Sequence, residues 1–141
     1  MAVKEFPLRP MKVEDVSTAN RKLRGWVPDA ETVRKIKSLR QAEPISMRGQ
    51  APLIWHKASG SHVYDKKGNK WLDFSSGVLI TNAGHSNPKI IDAIVRQAKS
   101  SLLTTYCFPN EPRIKLAQKL ASLAPKGLKK VFLLSTGGET T

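Results

Sequence analysis

The residues best placed to do chemistry are Val131-Phe132-Leu133-Leu134-Ser135-Thr136-Gly137-Gly138-Glu139-Thr140-Thr141. An apolar run leads into a hydroxyl-rich turn with two glycines. A phosphate needs what such a turn offers. Glycine lets it approach the main chain, hydroxyls donate to it, and successive N–H groups point outward. A helix starting near Glu139 would add the positive end of its dipole. Thr-Gly-Gly after a strand is more often an ordinary strand-to-helix loop than a ligand site, and the phosphate reading gains weight only from what lies upstream.

Other candidate groups carry less. His85, between Gly84 and Ser86, is a conceivable general base, but no Ser, Asp or Cys partner sits at a readable spacing. His56 and His62 lie in strand-like surroundings. Three scattered histidines and one cysteine form no zinc pattern, so each histidine is expected to be structural, and no metal site is expected. Asp65, Asp73 and Asp92 read as turn, strand-end and helix-start carboxylates. No Gly-Lys-Ser/Thr and no complete G-x-G-x-x-G is present.

Composition sets the outer bounds. The 141 residues suffice for one modest domain. Cys107 is the only cysteine, which excludes an internal disulfide and suits a reduced, cytoplasmic setting. It is expected to be a small buried apolar residue without a chemical role. No apolar run is long enough to span a membrane, and Met1 to Pro10 lack a signal-peptide core. The net charge of +13 invites a nucleic-acid partner. Residues 1–50 hold eleven Lys/Arg and six Asp/Glu, and residues 51–141 hold thirteen and five. Charge so evenly spread, without interleaved aromatics, argues for a solvated or covered face over a nucleic-acid groove.

The elements that position these residues follow from periodicity and turn chemistry. Residues 1–25 show no clear period and read as an arm. Pro28 and Asp29 open a helix over 30–40, and Pro44 ends that region. Leu53-Ile54-Trp55 reads as a short strand. Ser61–Asp65 and Lys70–Phe74, joined by Lys66-Lys67-Gly68-Asn69, predict a β-hairpin. Ser75–His85, bracketed by Gly77 and Gly84, suits a compact, partly buried loop. Asn87 and Pro88 open a helix to about Leu103. A second helix starts near Asn110, with a buried stripe of Ile114, Ala117, Leu120, Ala121 and Ala124, and closes at Pro125. Lys130–Leu134 predicts a strand buried on both faces, as in a parallel sheet. Helix, tight turn, apolar strand and Gly-rich turn together spell an α/β domain.

Four motifs in order then carry a resemblance. They are Val63-Tyr64-Asp65-x-x-Gly68-Asn69-x-Trp71-Leu72-Asp73-Phe74-x-Ser76-Gly77; Asn82-x-Gly84-His85-x-x-Pro88 with Ile94 and Gln97; Asn110-Glu111-Pro112 with Leu116-Ala117-x-x-Leu120 and Ala124-Pro125; and Leu134-Ser135-Thr136-Gly137-Gly138-Glu139. Over roughly Pro52 to Thr141 the sequence resembles the N-terminal part of a class III aminotransferase of the ornithine/4-aminobutyrate type. The resemblance implies the α/β fold of a fold-type I pyridoxal-phosphate enzyme, usually a homodimer with its site at the subunit interface. The implied organisation is an extension with a short helix over 1–45, a small-domain segment with hairpin and helix over 46–105, and the start of the cofactor-binding domain over 106–141.

By the same resemblance, Thr136, Gly137 and Gly138 would hold the cofactor phosphate, while Val78 and Ile80 would shape the substrate pocket. Gly138 stands where the family often has Ser, Ala or Thr, which leaves only backbone donation there. Ser135 often stands where the family has Asn, and Thr140 replaces the usual Ala. The implied reaction moves an amino group from an amino acid or amine to a 2-oxo acid. It needs a lysine to carry the cofactor and an aspartate at the pyridine nitrogen. Neither is matched in this sequence; Lys126, Lys129 and Lys130 do not fit the lysine motif. The chain alone is therefore expected to be an inactive N-terminal part. The alternatives are a basic module binding nucleic acid and a different phosphate-binding α/β enzyme.

Overall fold

The structure, a computed structural model, describes residues 5–100, 102, 105, 107–110 and 111–140. The chain divides into two compact units, Met1–Asp92 and Ala93–Thr141.

The first unit is built on the hairpin. Strands β4 (His62–Tyr64) and β5 (Lys70–Leu72) pair antiparallel, with Val63 opposite Trp71. The turn between them closes on one carboxylate. Asp65 accepts from the amides of Lys67 at 2.8 Å and Asn69 at 2.9 Å, and Gly68 takes the left-handed φ of +78° that the bend requires. Asn69 is fully buried. Its Nδ2 donates to Asp65 at 2.7 Å, and its Oδ1 accepts from the Arg24 amide at 2.9 Å.

That last bond reaches into a region expected to be a plain arm. Residues 1–25 instead contain β1 (Val16–Ser17) and β2 (Lys22–Leu23), turned at Thr18–Arg21 and joined to β5 through Lys22 opposite Lys70. Strands of two residues have no period to read, and a neighbouring edge decides whether they form. Leu53-Ile54-Trp55 is not a strand. The pairing strand is β3 (Lys57–Ser59), which sets Ala58 opposite Val63. Leu53 to Trp55 instead line a groove with Ile36 and Leu39. Among the described residues the sheet has five strands in the order β1-β2-β5-β4-β3, every pair antiparallel.

Helix α1 (Ala30–Ala42) carries Ile36 and Leu39 and starts where its cap dictates. Asp29 accepts from the Thr32 amide at 2.7 Å, and Glu31 pairs with Lys35 one turn on at 2.5 Å. Asp29 also pairs with Lys67 of the hairpin turn. The Lys67 ammonium first, and the Thr32 amide second, lower the Asp29 carboxyl to about 2. Among the described residues the buried apolar core is small: Val27, Val33 and Val63.

Helix α3 (Pro88–Lys99) begins in the first unit and continues into the second; the shorter turn α2 (Ser76–Leu79) precedes it. Asn87 accepts from the Lys89 amide at 3.0 Å, as a capping residue should. The helix ends at Lys99, short of Leu103, which lies outside the described residues. Helix α4 (Glu111–Leu123) is capped by Asn110, which accepts from the Arg113 amide at 2.9 Å, and carries Pro112 in its first turn. Its expected buried stripe is part-exposed: Ile114 and Leu120 are each 40% accessible.

Residues 130–134 form no strand, since no described strand pairs with them. Phe132 is 80% exposed, and Phe132 and Leu133 only line a groove with Pro112 and Leu116. An apolar run becomes a strand when a neighbour supplies its ladder, and the sequence signal reports apolarity rather than pairing. Cys107, expected inside, is exposed. Among the described residues, no helix is long and apolar enough to cross a membrane.

Candidate functional site

Two bends carry the residues singled out from the sequence. Val78 and Ile80 belong to the first unit; Thr136, Gly137 and Gly138 belong to the second.

The first bend leaves β5 at Asp73. Both oxygens of that carboxylate are used. Oδ1 accepts from the Ser75 amide at 2.8 Å and the Ser75 hydroxyl at 2.6 Å. Oδ2 accepts from the Gly77 amide at 3.0 Å and lies 2.7 Å from His85 Nε2. The Ser75 hydroxyl first, and His85 next, hold the Asp73 carboxyl well below the usual carboxylate range against the opposing effect of burial. Beside an ionised carboxylate, Nε2 carries the imidazole proton and donates it. The Asp73 and His85 side chains are nearly buried.

His85 is fixed on three sides. Its N–H and C=O exchange hydrogen bonds with Gly60 at 2.7 and 2.9 Å, in the turn between β3 and β4. Its ring meets Trp55 edge to face, with centres 5.9 Å apart. Gly84, at φ +84°, brings its backbone so near that an added Cβ would lie 3.4 Å from Gly60 Cα. The expected structural role fits this geometry. The partner was missed because it stands twelve residues earlier, and Asp73 alone reads as a strand-end carboxylate.

Between these anchors, α2 winds with the opposite hand to an ordinary helix. Ser76, Gly77, Val78 and Leu79 have φ of +51°, +60°, +63° and +65°. For a residue bearing a Cβ this costs about 1–2 kcal/mol, and for branched Val78 it is a clear outlier. The loop was expected to be partly buried. Gly77 and Gly84 are half-buried, whereas Val78, Leu79 and Ile80 are 78%, 81% and 80% exposed. The bonding that fixes the loop faces inward, so its apolar side chains face out.

The second bend is a single 3-10 turn, Gly137–Glu139. Thr136 precedes it in extended conformation. Glu139 Oε2 accepts from the amides of both Ser135 and Thr136 at 3.0 Å. Thr140 returns its amide and its hydroxyl to the Gly137 carbonyl at 3.1 and 2.7 Å. The turn is exposed, and a Cβ built on Gly137 or Gly138 would meet nothing within 4 Å. Two consecutive amides thus converge on one anionic oxygen, which is the donor chemistry a phosphate requires. Here the chain's own carboxylate takes those two donors. Among the described residues no group of three or more His, Cys, Asp or Glu is placed to hold a metal ion.

Comparison with known proteins gives one consistent result. Residues 45–141 match the family model for aminotransferase class-III. The chain is 37% identical over 95 residues to the acetylornithine aminotransferase of Methanocaldococcus jannaschii, covering 67% of this chain and 23% of that protein. It is 34% identical over 90 residues to the human mitochondrial alanine–glyoxylate aminotransferase 2, covering 64% and 18%. The crystal structure of acetylornithine aminotransferase from Elizabethkingia anophelis superposes with a TM-score of 0.64 at 32% identity, covering 75% of this chain and 27% of that one. The chain thus spans about a quarter or less of the length of these relatives. With more than half of its residues inside the family model, this chain belongs to the class III aminotransferases.

Proposed function

We propose that this chain is part of an enzyme that moves an amino group between an amino acid or amine and a 2-oxo acid, using pyridoxal phosphate. The observation that carries the reading is the match of residues 45–141 to the class III aminotransferase family model, with the Thr136-Gly137-Gly138 turn exposed and its glycines unobstructed. Thr136, Gly137 and Gly138 would hold the cofactor phosphate through the Thr136 hydroxyl and main-chain amides. Glu139 braces the turn from its amino-terminal side. An exposed turn of one hydroxyl residue and two glycines suits a phosphate, since the glycines leave the approach unobstructed. When bound, the cofactor supplies an electron sink for breaking a bond to the amino-bearing carbon. Val78 and Ile80 would shape the substrate pocket by contact and by excluding water, since neither side chain binds a carboxylate.

The same reading includes a homodimer, a cytoplasmic location, and a division into an extension over 1–45, a small-domain segment over 46–105 and a cofactor-domain segment over 106–141. It also holds that these residues alone do not catalyse: no lysine here matches the family's cofactor-bearing motif, and apolar residues such as Phe132 are uncovered.

Absorbance titration of the chain with pyridoxal phosphate, with phosphate-free pyridoxal as control, tests the proposal. Thr136→Val should weaken pyridoxal phosphate binding about tenfold and leave pyridoxal binding unchanged, the loss of one hydrogen bond to a charged group. Preference for a nucleotide, or steeply salt-dependent binding to DNA, would overturn it. Turnover of an amino donor by the chain alone would overturn the claim of inactivity.

A further inference from the structure

Four consecutive residues in left-handed conformation, three of them bearing a Cβ, do not persist unless their surroundings enforce it. The enforcing groups can be named. Asp73 Oδ1 clamps Ser75, where the loop begins, and Oδ2 clamps Gly77 inside it. Through that same Oδ2, Asp73 also grips His85, after the loop has ended. One carboxylate therefore joins both ends of the segment and its middle. His85 passes the constraint to the sheet, because its main chain is bonded in both directions to Gly60. The loop's own far end closes with Thr81 donating to the Ser76 carbonyl at 2.8 Å. What this frame holds outward is Val78, Leu79 and Ile80.

We propose that Asp73 and His85 are positioning residues, a latch that fixes the hand of Ser76–Leu79 and so sets where Val78 and Ile80 stand for the substrate. The substrate half of this statement rests on the proposed aminotransferase function; the latch itself does not. His85 acts through Asp73 and the backbone, and takes no proton from the substrate.

Hydrogen–deuterium exchange on the full chain reads the latch directly. His85→Ala should speed exchange of the Gly77 and Thr81 amides at least tenfold while leaving the Val63 and Trp71 amides of the hairpin unchanged. His85→Gln, whose amide can still donate to Asp73, should restore most of the protection. Asp73→Asn supplies a second variant, since it keeps an acceptor but loses the charge, and should give an intermediate rate. In the transaminating protein, His85→Ala should raise KM for the amino donor at least fivefold with kcat changed less than threefold, and His85→Gln should bring KM back. Unchanged exchange at Gly77 and Thr81 in His85→Ala would overturn the latch. So would equal acceleration in the hairpin, which marks a general loss of stability, or failure of glutamine to rescue. Should wild type take up no pyridoxal phosphate, the functional reading fails while the exchange result still decides the latch.

Discussion

The Asp73–His85 loop and the Thr136–Gly138 turn both bend the chain around a carboxylate, yet they are held by different means. Asp73 gathers donors from residues two, four and twelve positions away, and its partner is bonded back to the sheet at Gly60. Glu139 gathers donors from three and four positions away, and every bond cited in that turn is local. The first bend can hold a costly backbone because the cost is met from outside it. The second uses conformations that need little enforcement, and its apolar lead-in stays largely uncovered. A bend that must present side chains in one orientation needs long-range bracing; a bend that offers amides to an anion needs space and donors.

This contrast can be broken or sharpened by substitution. The largest effect is expected where long-range bracing is densest. Asn69→Ala removes the acceptor for Arg24 and the donor to Asp65 in a fully buried position. It should cost about 2–3 kcal/mol in urea unfolding, the penalty for stranding buried polar groups. Next comes Gly84→Ala, which puts a Cβ 3.4 Å from Gly60 at φ +84°; about 1–2 kcal/mol is expected. A loss below about 0.5 kcal/mol would show that Gly84 does not hold its left-handed conformation in the folded chain.

Asp29→Ala removes a helix cap and should cost about 1 kcal/mol. Its pH signature is specific. The folded carboxyl is depressed from 3.8 to about 2 by Lys67 and Thr32. Its contribution is therefore full above about pH 4 and fades as pH falls towards 2. Stability of wild type should drop through that window, and Asp29→Ala should flatten that part of the curve; an unaltered curve would remove Asp29 as the cause. The smallest effect belongs to the local bend. Glu139→Gln should speed amide exchange at Ser135 and Thr136 several-fold, while global stability shifts by less than about 0.5 kcal/mol, as for an exposed site.

What could be read in the sequence follows the same division. The β4–β5 hairpin announced itself through alternation and a Gly-Asn turn, and α1, α3 and α4 through Asp29, Asn87, Asn110 and nearby prolines. These are interactions within a few residues. The β1–β2 pair was illegible because it depends on the β5 edge, some fifty residues away, as Lys22 opposite Lys70 shows. Asp73 and His85 were each visible, but their pairing was not, since no local rule links residues twelve apart across a left-handed loop. The run at 131–134 is legible as apolarity, but no strand forms there, because apolarity does not report pairing. The anion turn is legible as glycines and hydroxyls, while the capture of two of its amides by Glu139 depends on a side-chain orientation that residue types do not fix.

Asn69 also implies an order of assembly. Its bonds to Asp65 span four residues, whereas its bond to Arg24 spans forty-five. Closing the short loop costs far less chain entropy than closing the long one. The hairpin turn can therefore ripen first and offer the Asn69 carbonyl oxygen as a docking peg, on which the amino-terminal strands settle afterwards. A chain shortened by its first twenty-five residues should keep the hairpin but leave that oxygen without its mate.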